Sequence, residues 1–175
     1  MDTETTDTET TTAAILVRND GDGPATWALG GLFERLASAA DTAGALDVSL
    51  VTQPAGTATP LHVHTREAEA FYVLDGNLTY QAGEQTYRLA AGSFIYLPIG
   101  VPHAFRVTGT SPARFLGLAA PGNLMALYDQ VGRPAPEPRL PEPGETSMPE
   151  EIQRWIETSP RYGLRIVGPP IPADG

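Results

Sequence analysis

From residue 60 to residue 118 the chain is a succession of short runs rich in β-branched and aromatic residues, each stopped by turn chemistry. The runs are 61–64, 70–74, 78–81, 85–89, 93–97, 104–107 and 113–118. Between them stand Asp75-Gly76-Asn77, Ala82-Gly83-Glu84, Ala91-Gly92, the group Pro98, Gly100 and Pro102, and residues 108–112. Short strands at regular spacing with Gly-, Asn- and Pro-rich turns are the pattern of an all-β sandwich or barrel. No segment between the runs is long enough for the helical crossover that parallel neighbours need. The expected sheet is therefore antiparallel. Gly76 suits a hairpin turn that requires positive φ.

The flanks extend this plan. Residues 45–53 alternate as a strand until Pro54 and Gly56 break it, and 25–36 read as two short strands or as a strand followed by a helical turn. Residues 1–12 are Thr and acid with no base, a composition that cannot offset its ordering entropy, so a disordered tail is expected there. Residues 122–131 have helical spacing with Asn123 as the candidate N-cap. The stretch 133–149 holds six prolines and reads as an extended linker. A second short helix spans 149–158, with Pro149 in its first turn and Ile152, Trp155 and Ile156 on one face. Residues 164–171 are expected to return as an edge strand until Pro169-Pro170 ends it. The expected organisation is an acidic tail over 1–12, a β unit over 13–121, and a C-terminal extension of two short helices over 122–175.

Composition narrows the chemistry. Cysteine is absent, which removes disulfides, thiolate nucleophiles and Cys-based metal sites. Lysine is absent as well; all 11 basic residues are Arg. That removes Schiff-base chemistry and the P-loop lysine. A net charge of -10 and no basic run argue against a nucleic-acid partner. No apolar stretch approaches a membrane span, and the polar, acidic N-terminus is not a signal peptide, so the expected compartment is the cytoplasm. What remains is His, carboxylate, Tyr, Ser/Thr and metal chemistry.

The chain has only 3 His, at 62, 64 and 103. His62 and His64 are two apart on a strand, which puts both on one face about 6.5–7 Å apart. Glu69 follows across a short turn. His103 stands after the Gly100-Val101-Pro102 turn, where a tight bend can bring it to the same wall. A single buried His is most often a satisfied core residue, so the weight falls on the set. Three imidazoles and a carboxylate form a mixed N/O site suited to one divalent transition metal: Fe, Ni, Mn, Co, Cu or Zn.

These residues carry a resemblance to the cupins. The first cupin motif, G-x5-H-x-H-x3,4-E-x6-G, is matched by Gly56, His62, His64, Glu69 and Gly76. The second, G-x5-P-x-G-x2-H-x3-N, is matched by Gly92, Pro98, Gly100 and His103, with Val107 where the family usually has Asn. The resemblance implies a small antiparallel jelly-roll β-barrel with one metal held by His62, His64, Glu69 and His103. The length and the C-terminal helices also resemble single-cupin proteins of the quercetin 2,3-dioxygenase type. That likeness implies a small-molecule substrate of aromatic or enol type, O2 as co-substrate, and Glu69 as the catalytic group that accepts a substrate proton.

By strand alternation Phe71, Val73, Phe105 and Val107 share the parity of Glu69 and His103 and are expected to face the interior. Leu50 and Tyr96 are further candidates for the substrate pocket, and Trp27, Met125, Tyr128 and Trp155 for its mouth. Arg66 reads as solvated. Two other readings stay open: a non-oxidative cupin isomerase, cyclase or lyase of small-molecule biosynthesis, and a non-catalytic metal- or ligand-binding cupin. The family resemblance also implies a homodimer.

Overall fold

The alternating segments fold as antiparallel strands throughout. The computed structural model describes residues 14–173, and the expected disordered tail over 1–12 lies outside the described residues. In chain order the strands are β1 (Ala25–Ala28), β2 (Gly31–Ala37), β3 (Asp47–Gln53), β4 (Pro60–His64), β5 (Ala68–Asp75), β6 (Asn77–Ala82), β7 (Gln85–Ala90), β8 (Phe94–Leu97), β9 (His103–Thr108), β10 (Ala113–Ala120), β11 (Arg133–Pro134) and β12 (Leu164–Pro170). Two helices, α1 (Leu124–Val131) and α2 (Met148–Thr158), follow the main run of strands. No helix among the described residues is long and apolar enough to cross a membrane.

The strands form two sheets, β11-β1-β2-β3-β10-β5-β8 and β12-β4-β9-β6-β7. This is a jelly roll. Among the described residues no strand pair joins the two sheets, so the expected barrel is not closed by hydrogen bonds. Residues 25–36 resolve as two strands. Their two-residue turn, Leu29-Gly30, has φ of 52° and 74°, the positive-φ pair that a tight hairpin uses. Gly76 turns β5 into β6 at φ 80°, and a Cβ there would come within 2.7 Å of the Pro112 carbonyl and the Ala113 backbone.

Cross-strand register stacks the interior in layers. Glu69 pairs with Ala119, which pairs with Asp47 on its other side, and His62 pairs with His103 on the facing sheet. Two residues along lie Phe71, Phe105 and Tyr80, the last two directly paired. Further along, Val73, Leu78, Val107 and Ala113 close an apolar core. The interior is thus polar at one level, aromatic at the next and aliphatic beyond.

The C-terminal elements pack back onto this frame. Residues 164–170 pair with β4 as the edge strand of their sheet. Helix α1 lies over β1 and β3, with the Tyr128 ring stacked on Phe33 at 4.3 Å. Helix α2 packs on α1 through a cluster containing Trp155, Leu124, Leu127 and Val131. Its buried Glu151 accepts the Leu29 backbone N–H at 2.6 Å, which ties the helix to the strained β1–β2 turn. The Pro-rich connection between the helices lies against β1: Arg133 and Pro134 pair with it, and the Arg139 carbonyl accepts the Trp27 indole N–H at 2.6 Å.

Candidate metal centre

The pleat places the donors. His62 and His64 occupy one face of β4, Glu69 is the second residue of β5, and His103 opens β9 opposite His62. All four side chains are buried, and one ligand atom from each lies within 4.8 Å of the others. The His62 and His103 ring centroids are 4.5 Å apart, and His64 stands 5.2 and 5.4 Å from them.

Each imidazole is held from behind. Nδ1 of His62 donates to the Pro60 carbonyl at 2.7 Å, and Nδ1 of His103 to the Val101 carbonyl at 2.9 Å. Nδ1 of His64 bonds the carboxylate of Glu67, itself buried. A ring whose Nδ1 donates presents the lone pair of Nε2 on its other side, which is how metal-ligating histidines are oriented. Glu69 Oε2 lies 2.9 Å from Nε2 of His103 and 3.1 Å from Nε2 of His64. Acceptor facing acceptor at such distances calls for a positive charge between them, either a proton or a metal cation. The donor set, three imidazoles and one carboxylate, fits a divalent transition ion.

The electrostatics of the ion-free cluster follow from that geometry. Burial and the neighbouring His103 push the His62 pKa down to about 4. Burial also disfavours charge on His64, but the carboxylates of Glu69 and Glu67 outweigh it and raise its pKa well above the usual imidazole value. Burial opposes ionisation of Glu69 too, yet the charge of His64 and the contact with His103 hold its carboxyl well below the usual range.

These shifts set the stability of metal-free protein against pH. A His with a depressed folded pKa is neutral in the fold and protonates when the chain unfolds, so its stabilisation is present above about 6.5 and lost as pH falls toward 4. A His with a raised pKa acts oppositely: its stabilisation is complete below 6.5 and fades as pH rises toward its folded value. Chelator-treated protein is therefore expected to be most stable near pH 6.5, losing on the order of 3 kcal/mol on the acid side. Melting temperatures across pH 4–9 check this, and a flat profile would contradict it.

Beside the cluster opens a cavity of about 420 Å³. His62, Glu69 and His103 form part of its wall, together with Phe33, Phe71, Phe105, Phe115 and Leu118 from the sheets. Met125, Tyr128, Met148, Ile152 and Trp155 come from the helical extension. Phe71, Phe105, Met125, Tyr128 and Trp155 thus line the cavity.

Four other candidates do not. Tyr96 is 59% exposed, on the outer face of β8 opposite Ala70, and no part of it reaches the cavity. Leu50 is likewise outward, because Asp47, Ser49, Val51 and Gln53 are the buried set of β3. Val107 does point inward, but its level is filled by the aliphatic core and it does not line the cavity. Trp27 is buried away from the cavity under Arg133 and Arg139, whose guanidinium carbons stand 5.4 and 5.0 Å from its ring. Arg66 is exposed, as its solvated reading expects, and its Nη1 donates to the Arg161 carbonyl at 2.8 Å. Asn123 makes no side-chain cap; the Asp47 carboxylate takes that role from β3, accepting the Asn123 and Met125 backbone N–H groups at 2.8 and 2.9 Å.

Sequence reasoning missed Glu67, whose only local signal is an acid placed two residues before Glu69. It also missed Tyr80, which shares the aromatic level through its pairing with Phe105.

The sequence model of the family described as "Cupin domain" matches residues 49–119. The chain is similar to quercetin 2,3-dioxygenase of Bacillus subtilis, 31% identical over 99 residues that cover 57% of this chain and 29% of that protein. It is also similar to an uncharacterised protein of Methanocaldococcus jannaschii, 29% identical over 68 residues, 39% of this chain and 54% of that one. The chain therefore matches less than a third of the first relative and about half of the second. Among solved structures, a predicted oxalate decarboxylase from Thermotoga maritima superposes with a TM-score of 0.53 at 24% identity, covering 61% of this chain and 98% of that one. KdgF from Halomonas sp. superposes with a TM-score of 0.50 at 18% identity, covering 55% and 85%. At these identities the two structures speak to the fold alone. The family match runs from β3 through β10 and includes every strand that carries a histidine, so residues 49–119 are a cupin domain.

Proposed function

We propose that the protein is a metal-dependent dioxygenase acting on a small aromatic or enol-type molecule, with a reaction like that of quercetin 2,3-dioxygenase. The observation that carries this reading is the cavity. Its wall is dominated by aromatic and aliphatic side chains, it contains no Arg, and His62, Glu69 and His103 stand at one side of it. Such a cavity favours a flat, largely uncharged molecule that presents an oxygen to the cluster. It offers no cation to pair with a phosphate or a carboxylate.

His62, His64, Glu69 and His103 would hold the ion. When bound, the ion would supply Lewis acidity, a template for substrate and O2, and an electron path between them. The residues of the chain do the rest. Glu69 lines the cavity beside His62 and His103 and accepts the proton of the substrate's enol hydroxyl. Glu67 holds the His64 ring from behind. The apolar wall excludes the water that would compete for an electron-rich intermediate.

The test is metal analysis of anaerobically purified protein, with O2 uptake measured on a panel of flavonols and related enols. About one redox-active ion per chain with substrate-dependent O2 consumption is the expected result. Metal-dependent turnover without O2 would replace the proposal with a non-oxidative cupin enzyme. Failure to hold metal after reconstitution would leave a ligand-binding protein.

A further inference from the structure

Among the described residues four both line the cavity beside the candidate metal centre and stay exposed to solvent: Gly56, Met148, Ile152 and Pro170. They mark its mouth, and none carries a polar side chain. Met148 and Ile152 belong to α2 and are 39% and 40% exposed. The Met148 sulfur lies 3.0 Å from where a Cβ would stand on Gly30. The start of α2 is thus seated on the β1–β2 turn, whose Leu29 also lines the cavity. At about 420 Å³ the cavity is toward the smaller end of ligand pockets, so a molecule larger than a ring system and its hydroxyls extends through this mouth.

Helix α2 presents three stripes. Glu151 and Trp155 are buried against the fold. Glu150, Gln153, Arg154 and Glu157 are exposed and form the polar side. Met148, Ile152 and Ile156 recur every four residues and share the third stripe. Ile156 is 46% exposed and stands one turn, about 6 Å, beyond Ile152. The apolar lining of the cavity therefore continues past the mouth along the surface of α2. Size and charge limit what covers this strip. Three aliphatic side chains, each less than half exposed, fall far short of the roughly 800 Å² per partner that a stable protein interface buries. Glu150 and Glu157 beside the strip, on a chain of net charge -10, disfavour an anionic lipid surface. A narrow apolar strip continuous with a ligand cavity fits one hydrocarbon chain attached to whatever the cavity holds.

We propose that the molecule bound here is an aromatic or enol compound bearing an alkyl or isoprenoid chain, with its ring system in the cavity and its chain leaving through the mouth along Met148, Ile152 and Ile156. The assignment rests on the proposed aromatic or enol substrate and narrows its class. It makes Ile152 and Ile156 specificity-determining residues. It also gives the extension a role, because the strip that reads the chain belongs to α2. Covering these side chains removes apolar surface from water on both partners, so affinity grows with the length of chain covered.

The test measures binding of ethyl, butyl, hexyl and octyl gallate by calorimetry, on full-length protein purified and kept without O2 so that binding is read without turnover. These esters carry ring hydroxyls at one end and a chain of graded length at the other. Affinity is expected to rise about twofold per added methylene, hence about 60-fold from ethyl to octyl, since the strip covers one side of the chain. Ile152→Gln and Ile156→Gln place a polar group on the strip at exposed positions and keep a good helix former there, and melting temperatures confirm that each variant folds. Each is expected to lower the octyl-to-ethyl affinity ratio about fivefold. Equal affinity along the series would overturn the proposal, with binding of the ethyl ester still upholding the aromatic reading. A chain-length gain that survives both substitutions would put the chain elsewhere and overturn it as well. A wild type that binds none of the esters would overturn it together with the aromatic reading. A gain that the variants lose, combined with no O2 uptake on flavonols or on these esters, would leave the proposal standing and remove only the dioxygenase.

Discussion

The double variant His62→Ala, His103→Ala is expected to retain less than about a tenth of an ion per chain after metal loading and desalting, where the wild type retains about one. The two rings face each other across the β4–β9 pair with centroids 4.5 Å apart. Their removal leaves His64 and Glu69 as the only members of the donor set, too few to hold a transition ion against water. Mass-spectrometric metal analysis measures the result, and circular dichroism checks that the β fold persists. An equivalent of metal retained by the folded variant would put the ion elsewhere. Glu67→Gln should act by degrees. The amide can still accept from His64 Nδ1, so the ring stays in place, but the negative charge behind it is gone. Loss of such an outer partner typically weakens metal affinity about 10–100-fold.

The parts of this site that were legible in the sequence are those fixed by local geometry. His62 and His64 are two apart on a strand, and pleating alone puts them on one face. Gly76 turns because Asp75-Gly76-Asn77 has little else to do, and the strands of 60–118 announce themselves by their breaks. Alternation, however, sorts a strand into two sets without saying which set faces inward. That choice comes from packing against the other sheet. In β3 the inward set is the more polar one, Asp47, Ser49, Val51 and Gln53, so Leu50 lies outside despite its hydrophobicity. In β8 the same ambiguity put Tyr96 on the wrong side. Parity also carries no depth: Val107 points inward but sits in the aliphatic layer beyond the cavity. The long-range polar bonds were beyond reach altogether. Nothing near Asn123 reveals that its helix is capped by a carboxylate 76 residues away, and nothing near Glu67 reveals a histidine to hold.

That remote carboxylate carries the second large effect. Asp47 is buried at the start of β3 and accepts three backbone N–H groups: Ala39 at 2.7 Å, Asn123 at 2.8 Å and Met125 at 2.9 Å. Two of them stand at the N-cap and in the first turn of α1, where Asn123 offers no side-chain cap of its own. Asp47→Ala strands all three donors, at about 1–3 kcal/mol for each that water cannot reach. The expected loss of folding stability is about 3–5 kcal/mol, with Asp47→Asn losing less because its amide oxygen still accepts. Urea denaturation measures both, and a loss under about 1 kcal/mol for the alanine variant would contradict the capping role. Helix α1 carries Met125 and Tyr128 into the cavity wall, so the variant should also weaken binding of planar ligands. Metal content per folded chain should stay near one, because Asp47 is not among the clustered donors. Ligand affinity falling while metal content holds would separate two jobs of the fold, with the sheets positioning the ion and the capped helix shaping the space in front of it.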